Sequence, residues 1–274
     1  MDFVDQALAR RLEAAEEIPQ VYYARLYAQV KPEIGAAAEE IGGGHMVFAG
    51  VGSPIGRAVG LGLDGPVAAE TLDRVEEFYR SKGAPAQVDV CPLTDLGLLE
   101  ALKERGYQMA ELNNVLYRWL RREEEFAPGP GGLEIRRGAM DEADLWADVV
   151  GRGFFDGKQP PPEFQGMFAP LFQIPDAVAF LVWAGKTAVA GAGGLLIPER
   201  KMIAMFGAAT LPDFRGRGIQ SALLRRRMKL AADQHCDLAV TVTRGGTTSQ
   251  RNAERLGFRL AYSKATLLKN WGKS

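Results

Sequence analysis

The sequence predicts an α+β fold, a mixed sheet flanked by helices, built twice along the chain. Three observations carry this expectation. Strand-like apolar stretches are interspersed with helical ones, and some neighbouring strands are joined by hairpin turns rather than helical crossovers. An ungapped register relates the two halves at an offset of 151 residues. Between them lies "EEEFAPGPGG", Glu123 to Gly132, whose acidic run followed by Pro and Gly continues neither helix nor sheet. The chain is thus divided into a first domain at 1–125, a linker at 126–132 and a second domain at 133–274.

In chain order, Asp2 to Ile41 reads as helices interrupted near Pro19 and Pro32. A short strand, "HMVFAGV", and a glycine-rich passage follow. Then come a helix ("AAETLDRVEEFYRSKG"), a strand ("AQVDVC"), a helix ("LGLLEALKERG") and a strand ("ELNNVLYRWL"). After the linker, "LEIRRG" is a strand and "DEADLWADVVGRGFF" a helix opened by an acidic turn. "PPEFQGMFAPLFQ" starts a second short helix at its prolines. Three strands follow, "AVAFLVWA", "TAVAGAGGLLI" and "KMIAMFGAATL", the first two joined by a hairpin at Gly185-Lys186. A helix from Ile219 to Asp233, the strand "CDLAVTVT", a short helix "SQRNAERLG" and the strand "FRLAYSKATLLKN" complete the chain.

A formal net charge of −1 supplies no global basic field, so nucleic acid and anionic membrane are not expected partners and any anion site must be local. Cys91 and Cys236 lack CxxC spacing and read as inert thiols of a reducing cytosol, without a disulfide framework or metal site. The N-terminus has no apolar signal core, and Lys186 interrupts the most lipid-like run, so the expected location is the cytoplasm.

The register pairs Gly106-Tyr107 with Gly257-Phe258, "VLYRWL" with "TLLKNW", Gly56 with Gly207 and Gly65 with Gly216. It is most informative where the copies differ: Arg215 stands opposite Asp64, and Gly218 opposite Val67. A phosphate-receiving loop needs a cation and a residue without Cβ, so only the second copy is competent. The register also accounts for "GLGLDG", Gly60 to Gly65, a dinucleotide-type GxGxxG that lacks a good buried strand before it.

The competent copy is "LPDFRGRGIQSALLRRR", Leu211 to Arg227. A helix N-terminus presents unpaired N–H groups and the positive end of the macrodipole. Gly216 and Gly218 let backbone approach an anion, and Arg215 and Arg217 add guanidinium donors. No Gly-Lys-Ser/Thr follows, so the loop suits a pyrophosphate without magnesium better than a triphosphate. The alternative is a plain turn into a solvated helix, with Arg225, Arg226 and Arg227 on its surface.

With Arg215-x-x-Gly218-x-Gln220 after a small-residue strand, and "SQRNAERLGF" further on, the sequence resembles the GNAT superfamily of N-acetyltransferases from Leu133 to about Trp271. The resemblance implies a mostly antiparallel sheet and, with the register, tandem GNAT-like domains of which the first is degenerate. It implies acetyl-CoA as acyl donor, with the pyrophosphate on Arg215, Gly216, Arg217, Gly218, Ile219, Gln220 and Ser221. Main-chain groups of Ala209, Thr210 and Leu211 would hold the pantetheine arm, and Asn252 and Arg255 would lie near the cofactor. No metal is implied. Gln220 departs from the family's usual small residue. The family's frequent general-acid tyrosine falls at Ala253, leaving Ser249 and Tyr262 as substitutes. Asp156 and Glu163 are candidate bases, although solvated surface acids account for both. The aromatic set from Phe154 to Phe172 is either core packing or the wall of an apolar acceptor pocket. The leading expectation is an acetyl-CoA-dependent N-acetyltransferase acting on a small-molecule amine. The alternatives are a non-catalytic acyl-CoA-binding or regulatory module and, through "GLGLDG", an NAD-dependent enzyme.

Overall fold

The structure, a computed structural model, describes residues 3–126, 129–161, 164 and 169–272. It divides into two compact units, Met1–Val115 with Leu260–Ser274, and Leu116–Arg259.

The first unit opens with α1 (Gln6–Val30), capped by the Asp5 side chain on the Leu8 amide. Contrary to the expected break, α1 runs through Pro19. An interior proline costs about 3 kcal/mol, but burial of Leu12, Val21, Ala24 and Tyr27 along the same helix outweighs it. The stop at Pro32 does occur, as a short 3-10 turn closed by left-handed Gly35. The next segment, expected to be helical, is instead β1 (Ala37–Ile41), paired antiparallel with β2 (Gly44–Phe48) through a turn at Gly42-Gly43. Then follow β3 (Ala58–Val59), α2 (Ala69–Arg80), β4 (Ala86–Val90), α3 (Leu96–Glu104) and β5 (Gln108–Trp119), whose last residues belong to the second unit.

The second unit continues with β6 (Glu134–Arg137), α4 (Ala143–Phe154), β7 (Ala177–Ala184), β8 (Thr187–Ile197), β9 (Met202–Thr210), α5 (Ile219–Asp233), β10 (Leu238–Arg244) and α6 (Thr248–Arg255). Its strands are ordered β10-β9-β8-β7-β6, antiparallel except for β10 with β9. The hairpin at Gly185-Lys186 is present between β7 and β8. Of the expected second helix after α4, Ala169–Gln173 is a 3-10 turn, and residues 162–163 and 165–168 lie outside the described residues. The core gathers Val178, Phe180, Ile203, Leu223, Met228, Ala239 and Phe258.

The register is visible as architecture. α3 and α6, and β5 and β11 (Arg259–Lys269), recur 151 residues apart, to within a residue at their starts. β11 nevertheless joins the first unit, antiparallel to β4 from Ala265–Val90 to Lys269–Ala86. It brings a buried ionic cluster with it. The Lys264 ammonium meets Glu13 at 3.0 Å, Glu16, and Asp89 at 3.8 Å, while the Thr266 hydroxyl donates to Asp89 at 2.6 Å. Burial pulls the Lys264 pKa down, but the carboxylates around it prevail and hold it well above the ordinary value.

The entry to α4 is fixed by Glu142, which accepts from both Arg136 terminal nitrogens at 2.6 and 2.7 Å and from the Ala139 amide at 2.9 Å. The Arg136 hydrogen bonds, then the amide, lower the Glu142 pKa to about 2. A depressed carboxylate pKa stabilises the fold above the ordinary value, and that contribution is lost as pH falls through the folded value. Glu142→Gln is therefore expected to lower the melting midpoint by a few degrees near neutral pH. By about pH 2, circular dichroism should no longer distinguish the variant from the parent protein.

Candidate functional site

β9 and β10 pair in parallel from Met202–Leu238 to Met205–Thr241, and the pairing then stops although both strands continue. The Thr241 hydroxyl makes a last link, donating to the Met205 carbonyl at 3.1 Å. Beyond it Phe206 to Thr210 and Thr241 to Thr243 are half-buried, lining a wedge between strands that have parted.

On its other edge β9 pairs with β8, but with an irregularity. Gly193 faces Phe206 and Gly191 faces Ala209, so β9 spans three steps where β8 spans two. This is a bulge, and Gly207 takes the left-handed conformation that it requires, at φ 58°. The Trp146 indole from α4 fills the space beside Gly191, Gly193 and Gly207, and donates to the Phe180 carbonyl at 3.1 Å. A Cβ on Gly191 would come within 2.9 Å of that ring and one on Gly193 within 3.3 Å, so these two glycines of β8 leave room for the tryptophan. At Gly153 a Cβ would meet that of Ala209 at 2.7 Å, so glycine lets α4 lie directly on the end of β9.

The loop after β9 opens α5. Gly216 and Gly218 sit at φ 75° and 77°, and beyond the adjoining residues no atom lies within 4 Å of where a Cβ would stand on either. Gly218 is the N-cap and offers no side-chain cap, so the amides of the first turn, from Ile219 to Ser221, are uncapped by side chains. Ile219 is itself buried and can offer only its main chain.

The predicted residues separate into three groups. Gln220, Ser249 and Asn252 are brought together: Gln220 Nε2 donates to Ser249 Oγ at 3.0 Å, and Asn252 Nδ2 donates to Gln220 Oε1 at 2.7 Å. The residue that departs from the family pattern thus ties α5 to α6, which a small side chain could not do. Arg215 pairs with the largely exposed Asp156 at 2.7 Å and donates to the carbonyls of Gly153 at 2.9 Å and Thr210 at 3.2 Å. Its work here is to fasten the loop to the end of α4. Arg217 stacks over Phe214 at 4.9 Å and donates to the Asp213 carbonyl, and Arg255 is exposed at the end of α6.

Tyr262 stands apart from these. It lies in β11 within the first unit, 7% exposed, and its hydroxyl donates to Glu13 at 2.7 Å. Burial first, and the Glu13 charge next, push its pKa far up, so the phenol is locked as a neutral core donor. Ala253, at the position of the missing tyrosine, is 1% exposed in the core. Asp156 is explained by its pairing with Arg215, and Glu163 lies outside the described residues. Both cysteines are buried, and burial pushes Cys91 up to about 11. Of the aromatic set, Phe172 packs edge-on against Trp146, Phe155 against Phe164, and Phe154 is largely exposed.

The first unit shows why its copy of the loop is different. A Cβ on Gly62 would meet the Thr94 hydroxyl at 2.2 Å, and Arg10 binds Asp64 at 2.6 Å and the Leu63 carbonyl at 2.9 Å. Gly65 there is as open as Gly216, but the place of Gly218 is taken by Val67, whose side chain packs against Gly62.

Residues 146–258 match the Acetyltransferase (GNAT) family. This part of the chain is a GNAT domain. Among solved structures, a GCN5-related N-acetyltransferase from Kribbella flavida is similar at TM-score 0.63 and 17% identity, over 91% of this chain and 96% of that one. A tandem GNAT protein from the clavulanic acid biosynthesis pathway is similar at TM-score 0.58 and 12% identity, over 87% and 80%. A GCN5-related N-acetyltransferase from Sphaerobacter thermophilus is similar at TM-score 0.54 and 15% identity, over 68% and 59%. At these identities the likeness is one of fold, and for the first two it extends over both halves of the chain. No curated protein matches the chain by sequence. Among the described residues no helix is long and apolar enough to cross a membrane, and no group of His, Cys, Asp and Glu could hold a metal ion. The GNAT domain thus contains the wedge, the bulge and the glycine loop within one compact unit.

Sequence reasoning gave no role to Trp146 or Arg227. Only the alternative reading, a plain turn into a solvated helix, put Arg227 on the surface of α5, and it is 1% exposed. The signal was present: Arg227 lies four residues from both Leu223 and Ala231, on the buried face of the helix.

Proposed function

We propose that the protein is a CoA-dependent N-acyltransferase that transfers the acetyl group of acetyl-CoA to a primary amine of a small molecule by direct attack. The observation that carries this reading is the meeting of two openings in one unit: the parted ends of β9 and β10, and the uncapped first turn of α5 behind two left-handed glycines. The loop fits a pyrophosphate because its glycines leave room that a Cβ would fill, and because main-chain amides are the donors it offers. Ala209, Thr210 and Leu211 would hold the pantetheine arm, the amides of Gly216 to Ser221 the pyrophosphate, and the Gln220–Ser249–Asn252 network one wall. Ser249 is the hydroxyl best placed to pass a proton, because Gln220 orients it. Acetyl-CoA supplies an activated thioester, so the chain's own residues need only orient the acceptor, exclude water and stabilise charge on the thioester oxygen.

A second reading, a non-catalytic acyl-CoA-binding module, is favoured by one observation: Ala253 and Tyr262 leave no phenol on α6. Titration calorimetry with acetyl-CoA tests the shared part, and absence of binding would overturn both. Thiol release from acetyl-CoA across a panel of primary amines separates them. Turnover is expected with at least one amine, and binding without turnover across the panel would favour the module.

A further inference from the structure

The Arg227 guanidinium is buried in the GNAT domain, and among the described residues no carboxylate balances it. Burial alone accounts for its pKa, lowered to about 9. A buried unpaired cation is expensive, so its presence calls for a compensating role. Its hydrogen bonds identify one. Nε donates to Leu223 O at 3.2 Å in the preceding turn of α5. Nη1 donates to Gly193 O at 2.8 Å and Phe206 O at 3.3 Å.

Gly193 and Phe206 face each other at the bulge, the last pair before the register slips. A bulge disrupts the ladder locally, and buried carbonyls there need another donor. Arg227 supplies it from α5, while Trp146 from α4 fills the space left by the glycines. The Phe206 carbonyl also belongs to the peptide that ends in the Gly207 N–H. A charged donor on a carbonyl polarises its amide and strengthens the N–H as a donor. That N–H lies beyond Met205, where pairing with β10 has ended.

We propose that Arg227 is a positioning residue of the acyl-transfer site, holding the β9 bulge in shape and polarising the Phe206–Gly207 peptide toward the thioester oxygen. The inference rests on the acyl-CoA reading. It separates two tasks along β9: the loop at Gly216 to Ser221 binds the cofactor's phosphates, and the bulge with Arg227 acts on its carbonyl.

The test uses the full chain with acetyl-CoA labelled with ¹³C at the carbonyl, followed by infrared difference spectroscopy and calorimetry. Binding to the parent protein is expected to move the labelled carbonyl stretch to lower wavenumber. Arg227→Gln, which loses the charge, is expected to lose most of that movement while its Kd for acetyl-CoA stays within about threefold. Arg227→Lys, which keeps the charge but reaches only one carbonyl, is expected to retain roughly half of it. If the parent protein binds with no shift, or folded Arg227→Gln keeps the full shift, the inference is overturned. Should Arg227→Gln not fold, a full shift in Arg227→Lys overturns it equally. Absence of acetyl-CoA binding by the parent protein would instead reject the acyl-CoA reading itself.

Discussion

Gly218→Val is expected to weaken acetyl-CoA binding by roughly a hundredfold, measured by calorimetry on protein whose melting midpoint shows it to be folded. Two effects add. Residue 218 sits at φ 77°, where a β-branched side chain is strained by about 1–3 kcal/mol. The valine side chain would also occupy the open space over the first turn of α5 and block its amides. The first half of the chain is the internal control, because Val67 already stands at the equivalent position. Asp64→Arg, which restores a cation to that copy, is expected to change acetyl-CoA affinity by less than about twofold. Val67 still stands where Gly218 would be needed, and Arg10 already occupies the Leu63 carbonyl. Retention of affinity in Gly218→Val would remove the loop from the binding site.

Lys264→Met is expected to destabilise the first unit by about 3–5 kcal/mol, the range for breaking a buried ion pair by removing one partner. The ammonium is 3% exposed and contacts Glu13, Glu16 and Asp89; Asp89 keeps Arg57 at 3.3 Å, but loss of Lys264 leaves the buried Glu13 without its cation. Adding Glu13→Gln to Lys264→Met should recover part of the loss, because the neutral amide no longer needs a counter-charge. Urea unfolding of the single and double variants measures both. A single variant within 1 kcal/mol of the parent, by the usual scatter of surface substitutions of about 0.5 kcal/mol, would show the cluster to be incidental. The same contacts predict that a fragment ending at residue 125 fails to fold alone, because it lacks β11 and Lys264.

The strands and helices of the GNAT domain were largely legible because their signals are local. α5 was read as Ile219–Asp233 from its apolar spacing and the glycines before it, and the structure has those bounds. β1 was not legible, because Ala37 to Ile41 carries no strong strand propensity and is held in the sheet by pairing with β2. Continuity of α1 through Pro19 was hidden for a related reason, since burial against the rest of the unit outweighs a local rule.

By itself the sequence determined the 151-residue register, the Gly216-Arg217-Gly218 run before α5 and the copy that carries both Arg215 and Gly218. Each of these depends on the identity of a residue at a fixed spacing, on a missing Cβ or on a charge. Tertiary structure alone decided where the side chains finish. It turned Arg215 to Asp156, joined Gln220 to Ser249 and Asn252, and moved Tyr262 into the core of the other unit. It also drew Arg227 inward from a run of three arginines. Those outcomes depend on which chain segments meet far apart in sequence, and a buried charge finds its partners only after the fold has closed around it.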